Sequence, residues 1–278
     1  MDLKGKVALV TGASRGVGKG VAIGLGEHGA TVFLTGRTSE DQTSPDGVPG
    51  NIMQTAQEVQ TVGGKAIPVI CDHADDRSVE TLFSRIKDET GRIDLLVNNA
   101  WGGYEWMFKD GQYTWELPFW EQPLSRWFGM FRVGVRGAFT ASQQAARMMI
   151  NQGQGLIVNI SYWSAQKHLG NTLYGTAKAA IDKMTLDMAY EIHDHNIAVV
   201  SLYPGLVRSE RITAAAEFMD LNNSESPQFI GRVIAGLFND PRRMQRSGQV
   251  LVAAQLAKEY QIVDIDGNSP EPLTIEQA

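Results

Sequence analysis

Val7-Ala-Leu-Val10, followed at once by Thr11-Gly-Ala-Ser-Arg-Gly-Val-Gly18, is the stretch whose reading decides the fold. A short, wholly apolar run reads as a strand buried on both faces. The glycines at 12, 16 and 18 then read as a tight turn that opens a helix from about Gly16 to Glu27. The spacing is Thr-Gly-x-x-x-Gly-x-Gly rather than Gly-x-Gly-x-x-Gly, but the physical work is similar. Gly12 lets the chain turn sharply after the strand, and Gly16 and Gly18 allow backbone and helix to approach a pyrophosphate. The helix N-terminus offers unpaired N–H groups to an anion. Gly12, Ser14, Arg15, Gly16, Val17 and Gly18 are therefore candidate cofactor contacts.

Working outward, strand and helix patterns alternate along the chain. Strands are expected at 31–35, 66–70, 93–97, 156–160, 197–202 and 249–253, and helices at 52–62, 78–89, 124–150 and 174–192. Continuous apolar strands alternating with helices imply an α/β fold, a doubly wound parallel sheet with helices on both faces. Nothing divides the chain, so residues 1–278 are expected to form one domain, with an insertion at 101–123 and a tail at 254–278. Within the tail, Asp264-Ile-Asp-Gly-Asn268 has glycine too early for a calcium loop and reads as a turn.

Composition narrows the function. A net charge of -6 with scattered basic residues argues against nucleic acid. One cysteine, Cys71, excludes an internal disulfide and a cysteine-based zinc site. The five histidines show no metal spacing. No apolar stretch approaches ~18 residues and no signal-like segment opens the chain, so no membrane partner and a cytoplasmic location are expected.

Two further features bear on chemistry. The second strand ends in Phe-Leu-Thr-Gly-Arg37, where a binder of NAD usually places an acid for the ribose 2′-hydroxyl. Arg15 and Arg37 suit a 2′-phosphate instead, which points to NADP(H) as cofactor. Tyr174 and Lys178 lie one helical turn apart, so phenol and ammonium share a face. An ammonium close to the phenol is expected to lower its pKa towards the working range.

With these motifs, the chain resembles the short-chain dehydrogenase/reductase family over nearly its whole length. The residues that carry the resemblance are Thr11–Gly18, Asn98-Asn99-Ala100-Trp101, Tyr174 to Lys178, and Pro204-Gly205-Leu-Val207-Arg-Ser209. Ser247-Gly-Gln-Val-Leu251 and Val263-Asp-Ile-Asp-Gly267 resemble a narrower subgroup. The resemblance implies a Rossmann fold and hydride transfer between NADP(H) and a small-molecule carbonyl or alcohol. It implies that Asp72 and His73 border the adenine, Asn99 and Ala100 flank the ribose, Pro204 and Gly205 lie against the nicotinamide, and Val207 and Ser209 contact its carboxamide. Tyr174 and Lys178 would act with a serine about thirteen residues before the tyrosine, which is Ser161, with Ser164 as the alternative. The family also implies a homo-oligomer, dimer or tetramer. Where it often carries an Asn, this chain has Gly134, and a water on the Gly134 carbonyl is expected to link Lys178 to solvent.

All six tryptophans lie between 101 and 163, most of them in the insertion after the fourth strand. Loops at the carboxyl edge of such a sheet carry the ligand site. The aromatic insertion is therefore expected to wall a bulky apolar substrate, with Trp101, Trp106 and Trp163 as candidate contacts; a subunit contact is the competing reading. Two other functions stay open: an NADP(H)-binding sensor without turnover, and a lyase or epimerase that retains its cofactor.

Overall fold

The computed structural model describes residues 1–38 and 47–278. Its first half alternates β1 (Val7–Val10), α1 (Gly16–Glu27), β2 (Thr31–Gly36), α2 (Ile52–Thr61), β3 (Lys65–Ile70), α3 (Asp76–Thr90) and β4 (Leu95–Asn98). The insertion contributes a small hairpin, β5 (Phe108–Lys109) and β6 (Gln112–Tyr113). A long helix follows as α4 (Leu124–Phe128), a π-helical stretch (Gly129–Arg136) and α5 (Gly137–Gln152). After β7 (Gly155–Ile160) come α6 (Thr172–Ile192), β8 (Ile197–Tyr203), β9 (Leu206–Val207), α7 (Glu210–Ala214) and β10 (Ser224–Glu225). The chain then runs through α8 (Pro227–Asn239), β11 (Val250–Val252) and α9 (Ala253–Tyr260).

Among the described residues, seven strands form a parallel sheet in the order β11-β8-β7-β4-β1-β2-β3. Alternate residues of each strand feed opposite faces, as the pleat requires. Ala8, Val10, Val32 and Leu34 join a core with Val21, Ile52, Phe229 and Leu256. Val7, Leu9 and Phe33 join another with Leu82, Ala145 and Ala189. Both faces are thus covered by helices, as the apolar strands require.

The expected strands and the five expected helices are present within a few residues of their predicted ends. The segment between 203 and 249 was not read as helical, yet it holds α8. The signal was present: Ser226 accepts from Phe229 N–H as an N-cap, Pro227 opens the helix, and Phe229, Ile230, Val233 and Ile234 follow on one face. The stretch expected as a tail begins with α9, whose Ala254, Leu256 and Ala257 are buried. Asp264-Asn268 is a turn, in which Asp264 N–H donates to Asn268 O at 2.8 Å. The Asp264 carboxylate accepts from Ser226 N–H at 2.7 Å and pairs with Arg208 at 3.0 Å. Among the described residues no helix is long and apolar enough to cross a membrane, and no group of acids, histidines and cysteines is placed to hold a metal.

Candidate active site

The carboxyl ends of β1, β2, β4, β7 and β8 converge on a cleft of about 470 Å³. At its floor is the glycine turn. Gly12 has φ +66°, and a Cβ there would lie 2.7 Å from Ala100 Cα. A Cβ on Gly18 would lie 2.3 Å from both Asn99 Nδ2 and the Gly12 carbonyl oxygen. The hydroxyl of Thr11 accepts from the N–H groups of Asn99 and Ala100 at 2.9 and 3.0 Å. The Asn99 amide donates to the carbonyls of Thr11 and Gly12, each at 3.0 Å. The turn and the end of β4 therefore form one clasp, and Asn99 serves it with its side chain.

Ser14, Arg15, Gly16 and Val17 line the cleft, whereas Gly18 supports the turn from behind. No side chain caps α1 at Arg15. Instead the Glu210 carboxylate, from the start of α7, accepts from Gly16 N–H at 2.8 Å. An acid thus stands where unpaired helix N–H groups attract anions. Sequence reasoning did not find Glu210, because 194 residues separate the partners.

Arg37, Asp72 and His73 border the far end of the cleft. Arg37 forms an ion pair with Glu105 of the insertion. Arg15 donates to the carbonyls of Gly50 and Pro49 at 2.7 and 3.3 Å. The Asp72 carboxylate accepts from Ala74 N–H at 2.9 Å. His73 Nε2 shares a 2.8 Å hydrogen bond with the Thr35 hydroxyl, and burial pushes its pKa down to about 4. It is therefore neutral at physiological pH.

At the other end, Asn171 caps α6 by accepting from Tyr174 N–H at 3.0 Å, and its amide donates to the Trp115 carbonyl at 2.7 Å. One residue thus fixes both the helix that carries Tyr174 and Lys178 and the insertion that covers it. Tyr174 is 9% exposed and packed against the rings of Trp101 and Trp115, at 5.6 and 5.4 Å between centroids. Burial pushes its phenol well above the usual pKa, and the neighbouring Tyr104 and Tyr162 add to the rise. The nearby Ser164 hydroxyl, buried and without a hydrogen-bond partner among the described residues, acts the other way. The expectation that Lys178 brings this pKa down is not met in this arrangement. The Lys178 ammonium donates to the Ile160 carbonyl at 3.0 Å and lies over the Trp101 ring, and burial holds its own pKa at about 8.

The two candidate serines, Ser161 and Ser164, are placed differently. Ser161 lines the cleft, and its hydroxyl makes a long bond of 3.4 Å to the Lys178 carbonyl. Ser164 is buried at the phenol and lies outside the cleft wall. At Gly134, where the water route was expected to run from the backbone carbonyl, the Trp101 ring lies against the Cβ position.

Pro204, Gly205, Val207 and Ser209 border the cleft. Beneath them the buried Glu225 accepts from Gly205 N–H at 2.8 Å, and burial pushes its carboxyl pKa from 4.5 up to about 7. A pKa raised on folding adds stability that is full below pH 4.5 and is lost as pH rises through about 7. The loss amounts to roughly 3 kcal/mol. Glu225→Gln, which keeps an oxygen for Gly205, is therefore expected to raise stability at pH 8 and to change it little at pH 4. Denaturant unfolding at the two pH values checks this; equal effects at both would contradict it.

The insertion supplies Trp101, Tyr104, Glu105 and Met107 to the cleft wall. Trp106 and Trp163, also expected there, lie outside it. Trp106 is 38% exposed and offers its carbonyl to Arg126 at 2.8 Å, and Trp163 packs edge-on against Tyr203. The fully buried Arg126 pins the insertion, donating also to the Thr114 carbonyl and hydroxyl at 3.0 and 2.7 Å. Tyr104 and Arg126 escape sequence reading because nothing local distinguishes them from surface residues.

Comparison with known proteins agrees with this geometry. The family model "short chain dehydrogenase" matches residues 6–219. Mouse dehydrogenase/reductase SDR family member 1 is 38% identical, over 95% of this chain and 85% of that protein. A short chain dehydrogenase from Mycobacterium thermoresistibile shares the fold, with a TM-score of 0.80 at 24% identity over 99% of this chain and 95% of the other. A 7α-hydroxysteroid dehydrogenase solved with NADH and 7-oxo glycochenodeoxycholic acid has a TM-score of 0.74 and 27% identity, covering 90% of this chain and 93% of that one. A parallel sheet closed by a glycine turn, with a buried Tyr-Lys pair across the cleft from it, belongs to an oxidoreductase that binds a nicotinamide cofactor, and the chain is a member of the short-chain dehydrogenase/reductase family, similar over most of its length to dehydrogenase/reductase SDR family member 1.

Proposed function

We propose that this chain, as one domain over 1–278 with 101–123 as its substrate-facing insertion, transfers hydride between NADP(H) and a bulky apolar carbonyl compound or secondary alcohol. The observation that carries the reading is the buried Tyr174-Lys178 pair, sharing one cleft with a glycine turn whose Cβ positions are filled by neighbouring atoms. The turn residues would hold the pyrophosphate, Asp72 and His73 the adenine end, and Lys178 the ribose hydroxyls. When bound, the cofactor supplies or accepts the hydride. Tyr174 holds the proton that goes to the carbonyl oxygen, and its raised pKa keeps it protonated at neutral pH. Ser161 gives up its long bond to the Lys178 carbonyl to donate to the same oxygen. Donors aimed where charge develops are the main source of rate in such a site. The apolar wall of Trp101, Tyr104 and Met107 favours bulky substrates over small polar ones. A cytoplasmic homo-oligomer is part of this reading. An NADPH-consumption screen over bulky ketones and small polar carbonyl compounds tests it; no turnover across the panel would favour a sensor.

The choice of NADP(H) rests on Arg15 and Arg37 at the far end of the cleft. Charge-assisted hydrogen bonds contribute about 1.5–3 kcal/mol, so NADPH is expected to bind at least ~10-fold more tightly than NADH. A 2′-phosphate must draw Arg37 away from Glu105, so Glu105→Gln is expected to widen the preference. Dissociation constants for both cofactors on both proteins check this. Equal constants in the wild type would contradict it.

A further inference from the structure

Trp101 stands directly after Asn99 and Ala100 at the carboxyl end of β4, and its indole is wedged between α6 and the π-helical stretch. On one side the Lys178 ammonium lies 4.4 Å from the ring centroid. At the edge of the ring, a Cβ at Gly134 would lie 2.5 Å from two of its carbons, Cε3 and Cζ3. No L-side chain other than hydrogen fits at Gly134 while the ring stays in place. The ammonium itself is nearly enclosed, at 8% exposure for the residue, with the Ile160 carbonyl as its protein acceptor at 3.0 Å. An indole face is the best aromatic partner for a cation, and most effective where water is excluded.

We propose that Trp101 is a positioning residue for Lys178: its indole face carries the ammonium in place of water, and the bare backbone at Gly134 is what admits the ring. The two positions form one unit with the lysine. A side chain at 134 and the ring at 101 exclude each other, and losing the π face leaves the buried ammonium without its aromatic partner. The contact stands on geometry alone; its catalytic consequence rests on the reading of Tyr174 and Lys178 given above. Other titratable and charged groups around the indole and the ammonium are Tyr174 and Asp182 of α6, Tyr104 of the insertion, Tyr162 after β7, and Arg211 of α7, which lies over the Tyr104 ring. The phenols of Tyr104, Tyr162 and Tyr174 are all pushed above 10. Lys178, held at about 8, titrates below them.

The contact can be read without turnover. Indole ¹⁵N–¹H spectra of the full chain contain six tryptophan side-chain signals, and Trp101→Phe identifies one of them. That signal is expected to titrate with a midpoint near 8 and to become flat in Lys178→Met. A flat signal in the wild type, or a titration that persists in Lys178→Met, would overturn the proposal. Gly134→Ala is expected to lower the melting temperature in the wild type and to cost nothing in a Trp101→Ala background. An equal loss in both backgrounds would also overturn it. Trp101→Leu keeps apolar bulk without a π face, so the pH midpoint of NADPH affinity is expected to move down by roughly one unit, while Trp101→Phe leaves it in place. An unmoved midpoint in Trp101→Leu would reject the role. Should Tyr174→Phe retain turnover, the catalytic reading fails, but the indole titration and the Gly134 pair still decide this proposal.

Discussion

Tyr174→Phe is expected to lower kcat on any accepted carbonyl substrate by about 10²–10⁴-fold while leaving NADPH affinity nearly unchanged. The substitution removes one oxygen and keeps the ring. Its contacts with Trp101 and Trp115 survive, as does the Asn171 cap at Tyr174 N–H, so the fold around α6 has no reason to shift. Only the proton path is lost. Lys178→Ala should differ in kind, because it removes the ammonium proposed to hold the ribose that sets the cofactor beside Tyr174, so both affinity and turnover fall. In the wild type, turnover should decline as pH rises through about 8, where the ammonium discharges. Stopped-flow and steady-state kinetics beside isothermal titration separate the two effects. Near-normal turnover in Tyr174→Phe would remove the residue from the chemistry.

Gly18→Ala carries the second-largest expected effect, on cofactor affinity. A methyl at this position would lie 2.3 Å from the Asn99 amide nitrogen and from the Gly12 carbonyl oxygen. Neither atom is the loose end of a flexible side chain. The Asn99 amide is held by two carbonyls at 3.0 Å, and the Gly12 oxygen belongs to the turn. Relief requires the turn or the end of β4 to move, and overpacking of this kind costs roughly 1–3 kcal/mol. Because the displaced backbone forms the cradle, NADPH and NADH affinity should both fall, by about ten- to a hundredfold. Calorimetric titration with each cofactor, beside thermal melting, distinguishes this from general unfolding. Unchanged affinity for both cofactors would mean that the turn does not cradle the dinucleotide.

The sheet, most of its helices and the glycine turn were legible in the sequence because their causes are local. Apolar runs such as Val7–Val10 form strands wherever both faces are covered, and the positive φ at position 12 favours glycine whatever packs against it. Tyr174 and Lys178 were legible for the same reason, since one helical turn brings them to one face. By contrast, α8 carried a readable cap and periodicity at Ser226-Pro227 that went unused.

Tertiary structure alone decided the partners across the cleft. Arg37 meets Glu105 and Gly16 meets Glu210 over separations of 68 and 194 residues, which no periodicity encodes. It also sorted the tryptophans. Trp101 faces Lys178 and Trp106 faces outward, because the buried Arg126 and the Asn171 amide fix how the insertion lies over α6. Local sequence sets which groups a segment can offer, while the environment sets their ionisation. Tyr174 and Lys178 share a helix face in the sequence, yet burial among aromatic rings pushes the phenol up and the ammonium down. Desolvation depends on what the folded chain places around a group, and that is known only once the chain has closed over it.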